Sequence, residues 1–410
     1  MISPEILQEI KDGLKRNHSE LYLEAFVDLD ARDVLKKVIA EKHKTILSKD
    51  ERLNYVVSEI VGLGVIDDII TKDKSVTDVS FNGTDLIVET PFEKYIHEAD
   101  VDESYIIKII QKFANAVGKE FTPKSPILDA ALNNLRINAV HKTVSIYGTT
   151  MSIRVTRPKL ALNHDNFDSF APVEILNLLE SAVKVGSNIV ISGEVGTGKT
   201  ELQKFLTSFT PFEDKIGWIE DVAEGHVKEL FPDKDIMSWL VTPGTSISTL
   251  IKAMLRNNPR WINVTETRDE AAYEMIQAVL SGHSIITTTH TVNARAIPTR
   301  FVNMAKMGYE VDEKSLERDI YRYFHLGIHV KKKRINDVMR RYLSEIVYFL
   351  EDGTSQSIFE VVEENNRHIY KVGELPEEFK KMLKEYGLVI NELDLSIKEK
   401  IFDWNGRRCE

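Results

Sequence analysis

NIVISGEVGTGKT, residues 188–200, joins a short apolar run to Gly193, Gly198, Lys199 and Thr200 at the spacing G-x-x-x-x-G-K-[ST]. The apolar run has the character of a strand buried on both faces. The residues after it predict a helix from Thr200 to Phe209. Strand, glycine-rich turn and helix in that order form the setting in which this spacing cradles a phosphate. Glycines at 193, 196 and 198 let backbone N–H groups wrap an anion without obstruction by Cβ, and the dipole at a helix N-terminus favours it further. The candidate cradle is Gly193, Glu194, Val195, Gly196, Thr197, Gly198, Lys199, Thr200 and Glu201. Lys199 is expected to reach the β- and γ-phosphates of a nucleoside triphosphate, and the Thr200 hydroxyl to ligate Mg²⁺. A glycine-rich turn without a ligand is the bland alternative.

Working outward, comparable apolar runs recur at KIGWIE (215–220), RWINVTE (260–266) and SIITTTH (284–290), separated by helix-length segments, and Glu174 to Lys184 predicts a helix before the first run. Apolar strands alternating with helices predict a parallel, doubly wound sheet. In such a sheet ligands bind beyond the carboxyl ends of the strands. That edge receives Glu220, Asp221 and Glu224 from one run, Glu266, Arg268 and Asp269 from the next, and His290 from the last. Hydrolysis of a nucleoside triphosphate needs a group that orients the attacking water and a carboxylate near the metal. Glu266 is expected to polarise the water. Glu220 is expected on the Mg²⁺ side, reaching the ion through water, with Asp221 and Glu224 as alternates. Ordinary solvated carboxylates at strand ends remain the competing reading. His283 and His290 lack a third ligand at zinc spacing. A histidine that senses the γ-phosphate or couples neighbouring strands fits His290 better, beside a purely structural role.

The flanks differ in kind. Residues 1 to about 70 carry amphipathic helical spacing, as at Ile6, Leu7, Ile10 and Leu14. Short alternating runs follow: VTDVSFNG (76–83), DLIVET (85–90), KYIHEA (94–99), a helix over 104–118, then LRINAV (135–140), TVSIYG (143–148) and MSIRVT (151–156), which together predict a small α+β domain. RPKLALNHDNFDSFAP (157–172) predicts a linker. The expected division is a helical region over 1–72, an α+β domain over 73–158, a linker over 159–172, a nucleotide-binding domain over 173–350 and a C-terminal appendage over 351–410. The basic run KKKR (331–334) is expected as a solvated loop or hairpin rather than a ligand site.

The whole chain has 410 residues, 42% hydrophobic and 29% charged, with 53 basic against 64 acidic side chains and a formal net charge of −11. This composition predicts a globular protein of two or three domains. No stretch reaches the roughly 18–20 apolar residues of a membrane-spanning helix, and the N-terminus is too polar for a secretory signal, so a cytoplasmic location is expected. The acidic balance argues against duplex-DNA binding by phosphate neutralisation. The single cysteine, Cys409, excludes an intrachain disulfide and a multi-cysteine zinc site.

Four boxes in order, the phosphate loop, WIEDVAE (218–224), LRNNPRWINVTETRD (255–269) and SGHSIITTTHTVNA (281–294), resemble those of the secretion-motor ATPases of type II and type IV secretion and type IV pilus systems. The resemblance covers about residues 50–350. GLGVIDDII, VTDVSFNG, SPILDAALNNLRINAV, MSIRV and the tail ELPEEFKKMLKEYGL resemble the Flp/Tad pilus-assembly branch and its conjugation-system relatives. The four-cysteine insertion of many type II secretion members is absent.

The resemblance implies a RecA-like P-loop NTPase domain with a parallel sheet, preceded by a smaller α+β domain and an N-terminal helical segment. It implies ATP at Gly193–Thr200, an acidic box at Glu220, Asp221 and Glu224, a Walker B glutamate at Glu266 and a histidine box at His283 and His290. Arg136 and Arg154, with Arg157 less closely matched, take the positions of arginines that reach the nucleotide from the N-terminal domain. It further implies a homo-hexamer at the inner face of the cell membrane, held there by integral membrane proteins of a secretion or pilus apparatus, with no direct membrane insertion and no direct nucleic-acid contact. Thr265 stands where the family usually has glycine, which bears on turnover. The rival readings are a nucleic-acid translocase on a similar core and a low-turnover regulatory nucleotide-binding protein.

Overall fold

The computed structural model describes residues 2–26, 28–44, 47, 50–91, 93–98, 101–335, 338–364, 367–388, 390 and 400–402. Cys409 lies outside the described residues. The chain forms two compact units, Met1–Arg157 and Pro158–Glu410.

The first unit begins with helices α1 (Pro4–Asn17), α2 (Ser19–Glu24), α3 (Leu29–Lys42), α4 (Asp50–Val61) and α5 (Val65–Lys72). Proline at the first helical position starts α1, and the Asp28 side chain accepts from the Ala31 N–H to start α3. Ile10, Leu14, Leu35, Ile39, Val56 and Ile60 bury one shared face. Next come β1 (Asp78–Phe81), β2 (Leu86–Glu89), β3 (Lys94–Ile96), α6 (Glu103–Ala116), β4 (Ile127–Leu132), β5 (Leu135–Val140) and β6 (Thr150–Val155). The strands form an antiparallel sheet in the order β3-β2-β1-β6-β5-β4. Period-2 alternation puts Val79, Val88, Ile137 and Ile153 against Ile106, Ile110 and Phe113 of α6.

TVSIYG is not a strand. The His141 carbonyl accepts from the Val144 and Ser145 N–H groups, and its ring bonds the Thr143 N–H. The segment therefore turns between β5 and β6, and its alternating apolar residues face solvent, with Ile146 90% and Tyr147 84% exposed. The missed strand is β4, whose Asp129 and alanines carry little strand propensity of their own.

The second unit contains α7 (Val173–Lys184), β7 (Ile189–Gly193), α8 (Lys199–Ser208), β8 (Ile216–Glu220), α9 (Val227–Leu230), β9 (Ile236–Leu240), α10 (Ile247–Met254), β10 (Trp261–Val264), α11 (Ala271–Leu280), β11 (Ser284–Thr289), α12 (Ile297–Ala305) and α13 (Glu313–Tyr323). It closes with β12 (Leu326–Ile335), β13 (Val338–Phe349), β14 (Ser355–Glu364), β15 (Arg367–Val372), α14 (Glu377–Glu385) and β16 (Lys400–Phe402). The described strands form one sheet ordered β16-β15-β14-β13-β12-β7-β11-β10-β8-β9, parallel from β9 to β12 and antiparallel beyond.

Helices cover both faces. One layer packs α7, α8 and α14 on Ile189, Ile191, Trp218 and Ile286; the other packs α10 to α13 on Val190, Ile219, Ile262 and Ile285. Successive residues of β7 thus serve opposite cores, as a strand buried on both faces must. Residues 158–172 belong to this unit, and Phe167, Phe170 and Ala171 are buried in the α7–α8 layer together with Leu375, Phe379 and Leu383 from the end of the chain. Among the described residues no helix is long and apolar enough to cross a membrane.

Candidate nucleotide-binding site

β7, fully buried, delivers Gly193 to the carboxyl edge of the sheet, where the chain turns sharply into α8. A Cβ at Gly193 would stand 2.4 Å from the Val330 carbonyl oxygen and 2.9 Å from Thr197 Oγ1, and its φ of +150° disfavours other residues. The loop is braced from inside by Thr197 Oγ1, which donates to the Glu194 carbonyl at 2.9 Å. α8 starts at Gly198, which holds the left-handed conformation. Its first residues therefore present free N–H groups toward the loop, as an anion cradle requires.

Lys199 is 7% exposed and folds back over the cradle, donating to the carbonyls of Gly193 at 3.0 Å and Glu194 at 2.9 Å. Burial pushes its ammonium down to about 8, helped by the like charge of Lys332 and opposed by Glu266. His290 Nδ1 lies 3.5 Å from Lys199 Nζ, and His290 Nε2 lies 3.5 Å from Glu266 Oε1. The imidazole thus stands between the loop lysine and the strand-end glutamate, and both its ring and Glu266 are more than a third exposed, open to a ligand.

Threonines fix these two side chains in place. Thr287 Oγ1 donates to the Val264 carbonyl, Thr288 Oγ1 to that of Thr265 and Thr289 Oγ1 to that of Thr267. The three threonine hydroxyls of β11 therefore tie the end of β10 and the residues on either side of Glu266 to the strand that ends just before His290. Gln203 of α8 does the same for the phosphate loop. Fully buried, it donates from Nε2 to the carbonyls of Val264 at 2.9 Å and Ile286 at 2.8 Å. Sequence reasoning passed over Gln203, although a glutamine four residues after the loop lysine, on the face carrying Lys199, is the available signal.

Glu220, at the end of β8, is 6% exposed. Burial raises its pKa, and the Gly225 N–H, donating to Oε2 at 2.8 Å, works against that rise. The loop can wrap the carboxylate this closely because Gly225 has no side chain; a Cβ there would meet Glu220 Oε2 at 2.8 Å. Asp221 is paired with Arg268 at 2.9 Å. Glu201 turns aside from the loop, accepting from the Ala161 N–H at 3.1 Å and pairing with Lys204 at 2.6 Å. His283 sits before the first residue of β11, at the opposite edge of the sheet from His290, with Nδ1 2.8 Å from the Pro259 carbonyl. The two histidines of the expected box therefore do not meet, because a six-residue strand spans the sheet between them.

In the first unit Arg136 and Arg154 face each other across β5 and β6, on the sheet face opposite Ile137 and Ile153. Each has a carboxylate beside it, Asp129 at 3.7 Å and Asp78 at 3.1 Å. Arg157 donates to the Val76 carbonyl at 2.7 Å.

The basic run KKKR lies within the β12–β13 hairpin, and one of its residues reaches the cradle: Lys332 Nζ donates to the Val195 carbonyl at 2.7 Å. The expected hairpin is present, and it adjoins the loop because β12 is the direct neighbour of β7, a pairing that its own sequence does not disclose.

The model of the family described as "Type II/IV secretion system protein" matches residues 72–321, more than half of the chain. The chain belongs to this family. Over 405 residues, 94% of this chain and 91% of the relative, it is 46% identical to an uncharacterized protein of Bacillus anthracis. It is 25% identical to the type IV secretion system protein VirB11 of Brucella suis over 311 residues, covering 65% of this chain and 85% of VirB11. Among solved structures, the Legionella pneumophila ATPase DotB superposes with a TM-score of 0.52 at 19% identity, covering 70% of this chain and 82% of DotB. That likeness shows the fold, a RecA-like P-loop core preceded by an N-terminal domain. Membership in the type II/IV secretion family extends across the phosphate loop, Glu220, Glu266 and His290, all inside the matched span.

Proposed function

We propose that this chain is the ATP-hydrolysing motor of a secretion or pilus apparatus. The observation that carries the reading is the meeting of Lys199, His290 and Glu266 beside the phosphate loop, with Lys199 and His290 3.5 Å apart and His290 and Glu266 3.5 Å apart. The family, and the printed description of DotB as an ATPase, support it.

The residues suit a polyphosphate. Lys199 now spends its charge on two loop carbonyls, and a bound phosphate offers it stronger, anionic acceptors at the same place. The loop N–H groups and the start of α8 hold the β-phosphate. Thr200, at the first turn of α8, and Glu220, through water, would hold Mg²⁺. The metal supplies charge neutralisation on the β- and γ-oxygens when bound. Glu266 orients the attacking water and takes up its proton. His290, already beside Glu266 and Lys199, hydrogen-bonds to the terminal phosphate and keeps the glutamate next to it. Arg136 and Arg154 of the first unit close on the triphosphate and withdraw after hydrolysis, which turns chemistry into motion. Six such chains form a ring at the inner face of the membrane, docked on integral membrane partners.

Steady-state Mg-ATP hydrolysis by the full chain tests this reading. Wild type should turn over ATP, Lys199→Ala should neither bind nor hydrolyse it, and Glu266→Gln should bind without turnover. A wild type no faster than Glu266→Gln overturns it.

A further inference from the structure

We propose that Lys332 and Arg341, on the β12–β13 hairpin, are positioning residues that hold the phosphate loop from its outer side and sharpen two of its N–H donors. The proposal rests on the nucleotide-binding reading of that loop.

The placement follows from register. β12 runs parallel to β7 with Val330 beside Gly193, so β12 continues past the edge where β7 ends and the loop begins. Lys332 is two residues beyond Val330 and shares its face of the strand, the α8 side. Arg341 stands directly opposite Lys332 on β13. Two like charges facing each other across a ladder destabilise a hairpin unless each has a partner. Here Lys332 Nζ donates to the Val195 carbonyl at 2.7 Å and Arg341 Nε donates to the Gly196 carbonyl at 2.9 Å. Neither forms an ion pair with a carboxylate among the described residues. On the other face of the hairpin, by contrast, Lys333 and Tyr342 both engage the Glu363 carboxylate.

The two acceptors belong to consecutive peptide units. The Val195 carbonyl shares its peptide with the Gly196 N–H, and the Gly196 carbonyl with the Thr197 N–H. Where these two peptides turn their N–H groups inward on an anion, the carbonyls of the same peptides point outward, where they compete for solvent and let the loop rock. A cation on each carbonyl fixes the peptide plane and draws electron density away from the N–H, making it a stronger donor. The approach is close at Gly196, where a Cβ would meet Lys332 Nζ at 3.2 Å, and ordinary at Gly198, where one would lie 3.7 Å from Arg341 Cδ. The hairpin therefore acts through the loop backbone and does not need to touch the nucleotide.

Equilibrium binding of a fluorescent ATP analogue and its ADP counterpart to the full chain separates this role from others. The variants are Lys332→Met, Arg341→Met, the double substitution and the conservative Lys332→Arg, beside wild type and Lys199→Ala. Each single loss should weaken binding roughly 3-fold to 10-fold and the double loss roughly 10-fold to 100-fold, the range expected for charge-assisted hydrogen bonds. The loss should be equal for ATP and ADP, because these donors face a phosphate that both carry, and Lys332→Arg should recover wild-type affinity within about 3-fold. A double variant that binds within about 2-fold of wild type, a loss confined to ATP, or a Lys332→Arg protein as weak as Lys332→Met overturns the proposal. Failure of wild type itself to bind the analogue would instead overturn the nucleotide-binding reading, an outcome that the wild-type and Lys199→Ala pair reports separately.

Discussion

Lys199 is held where burial opposes its charge and a phosphate would restore it. With its ammonium pushed down to about 8, the side chain loses its proton as pH rises through that value, and the form able to pair with a polyphosphate disappears with it. Only the protonated fraction is binding-competent, so the apparent Kd for ATP should rise roughly tenfold between pH 7 and pH 9. Isothermal titration across that range checks this; Lys199→Arg, which cannot deprotonate, should flatten whatever binding it retains. His290→Ala removes the group between Lys199 and Glu266. It should lower kcat by roughly 10-fold to 100-fold while Kd moves less than about 3-fold, measured by turnover and titration on the same protein. Residues of this kind were legible in sequence because the phosphate loop fixes identity at fixed spacing, and because strand-end positions in a parallel sheet converge on one edge. His283 was not: its distance in sequence from His290 is short, but a strand carries seven residues much farther than a helix does.

Gln203 shows at the scale of elements why α8 and the strands keep the site in register. Its amide spans from α8 to β10 and β11, where it meets carbonyls that have no route to water. Gln203→Leu keeps the volume but removes one donor from each of these carbonyls, that of Val264 retaining Thr287 Oγ1, which should cost about 1–3 kcal/mol. The midpoint of chemical unfolding reads this loss, and an unchanged midpoint would refute the seam. The same scale marks the limits of sequence reading. β7, β8, β10 and β11 announce themselves as apolar runs because helices cover both their faces. β9, at the sheet edge, buries only Ile236 and then alternates half-buried with exposed residues, which gives a weaker pattern. β12 carries its apolar half on Leu326, Ile328 and Val330, then becomes the basic run, so its membership in the sheet is set by the partner it meets. TVSIYG fails in the opposite direction, since it alternates correctly but has no core to face.

Across the whole molecule, one unit carries the phosphate loop and its strand-end residues, and the other carries Arg136 and Arg154, paired with each other across β5 and β6. If those arginines complete the site, replacing both by alanine should lower kcat/KM by at least roughly 10-fold, with the mass of the assembly unchanged. Native mass measurement with Mg-ATP should show a six-chain ring; a chain that stays monomeric with nucleotide would contradict the ring. Whether the site at the edge of the parallel sheet hydrolyses ATP through Glu266 is decided by steady-state turnover of wild type, Glu266→Gln and Lys199→Ala, each with its ATP affinity. The expected result is turnover in wild type, a fall of roughly 100-fold or more in Glu266→Gln at nearly unchanged affinity, and loss of binding in Lys199→Ala. Equal turnover in wild type and Glu266→Gln would contradict it.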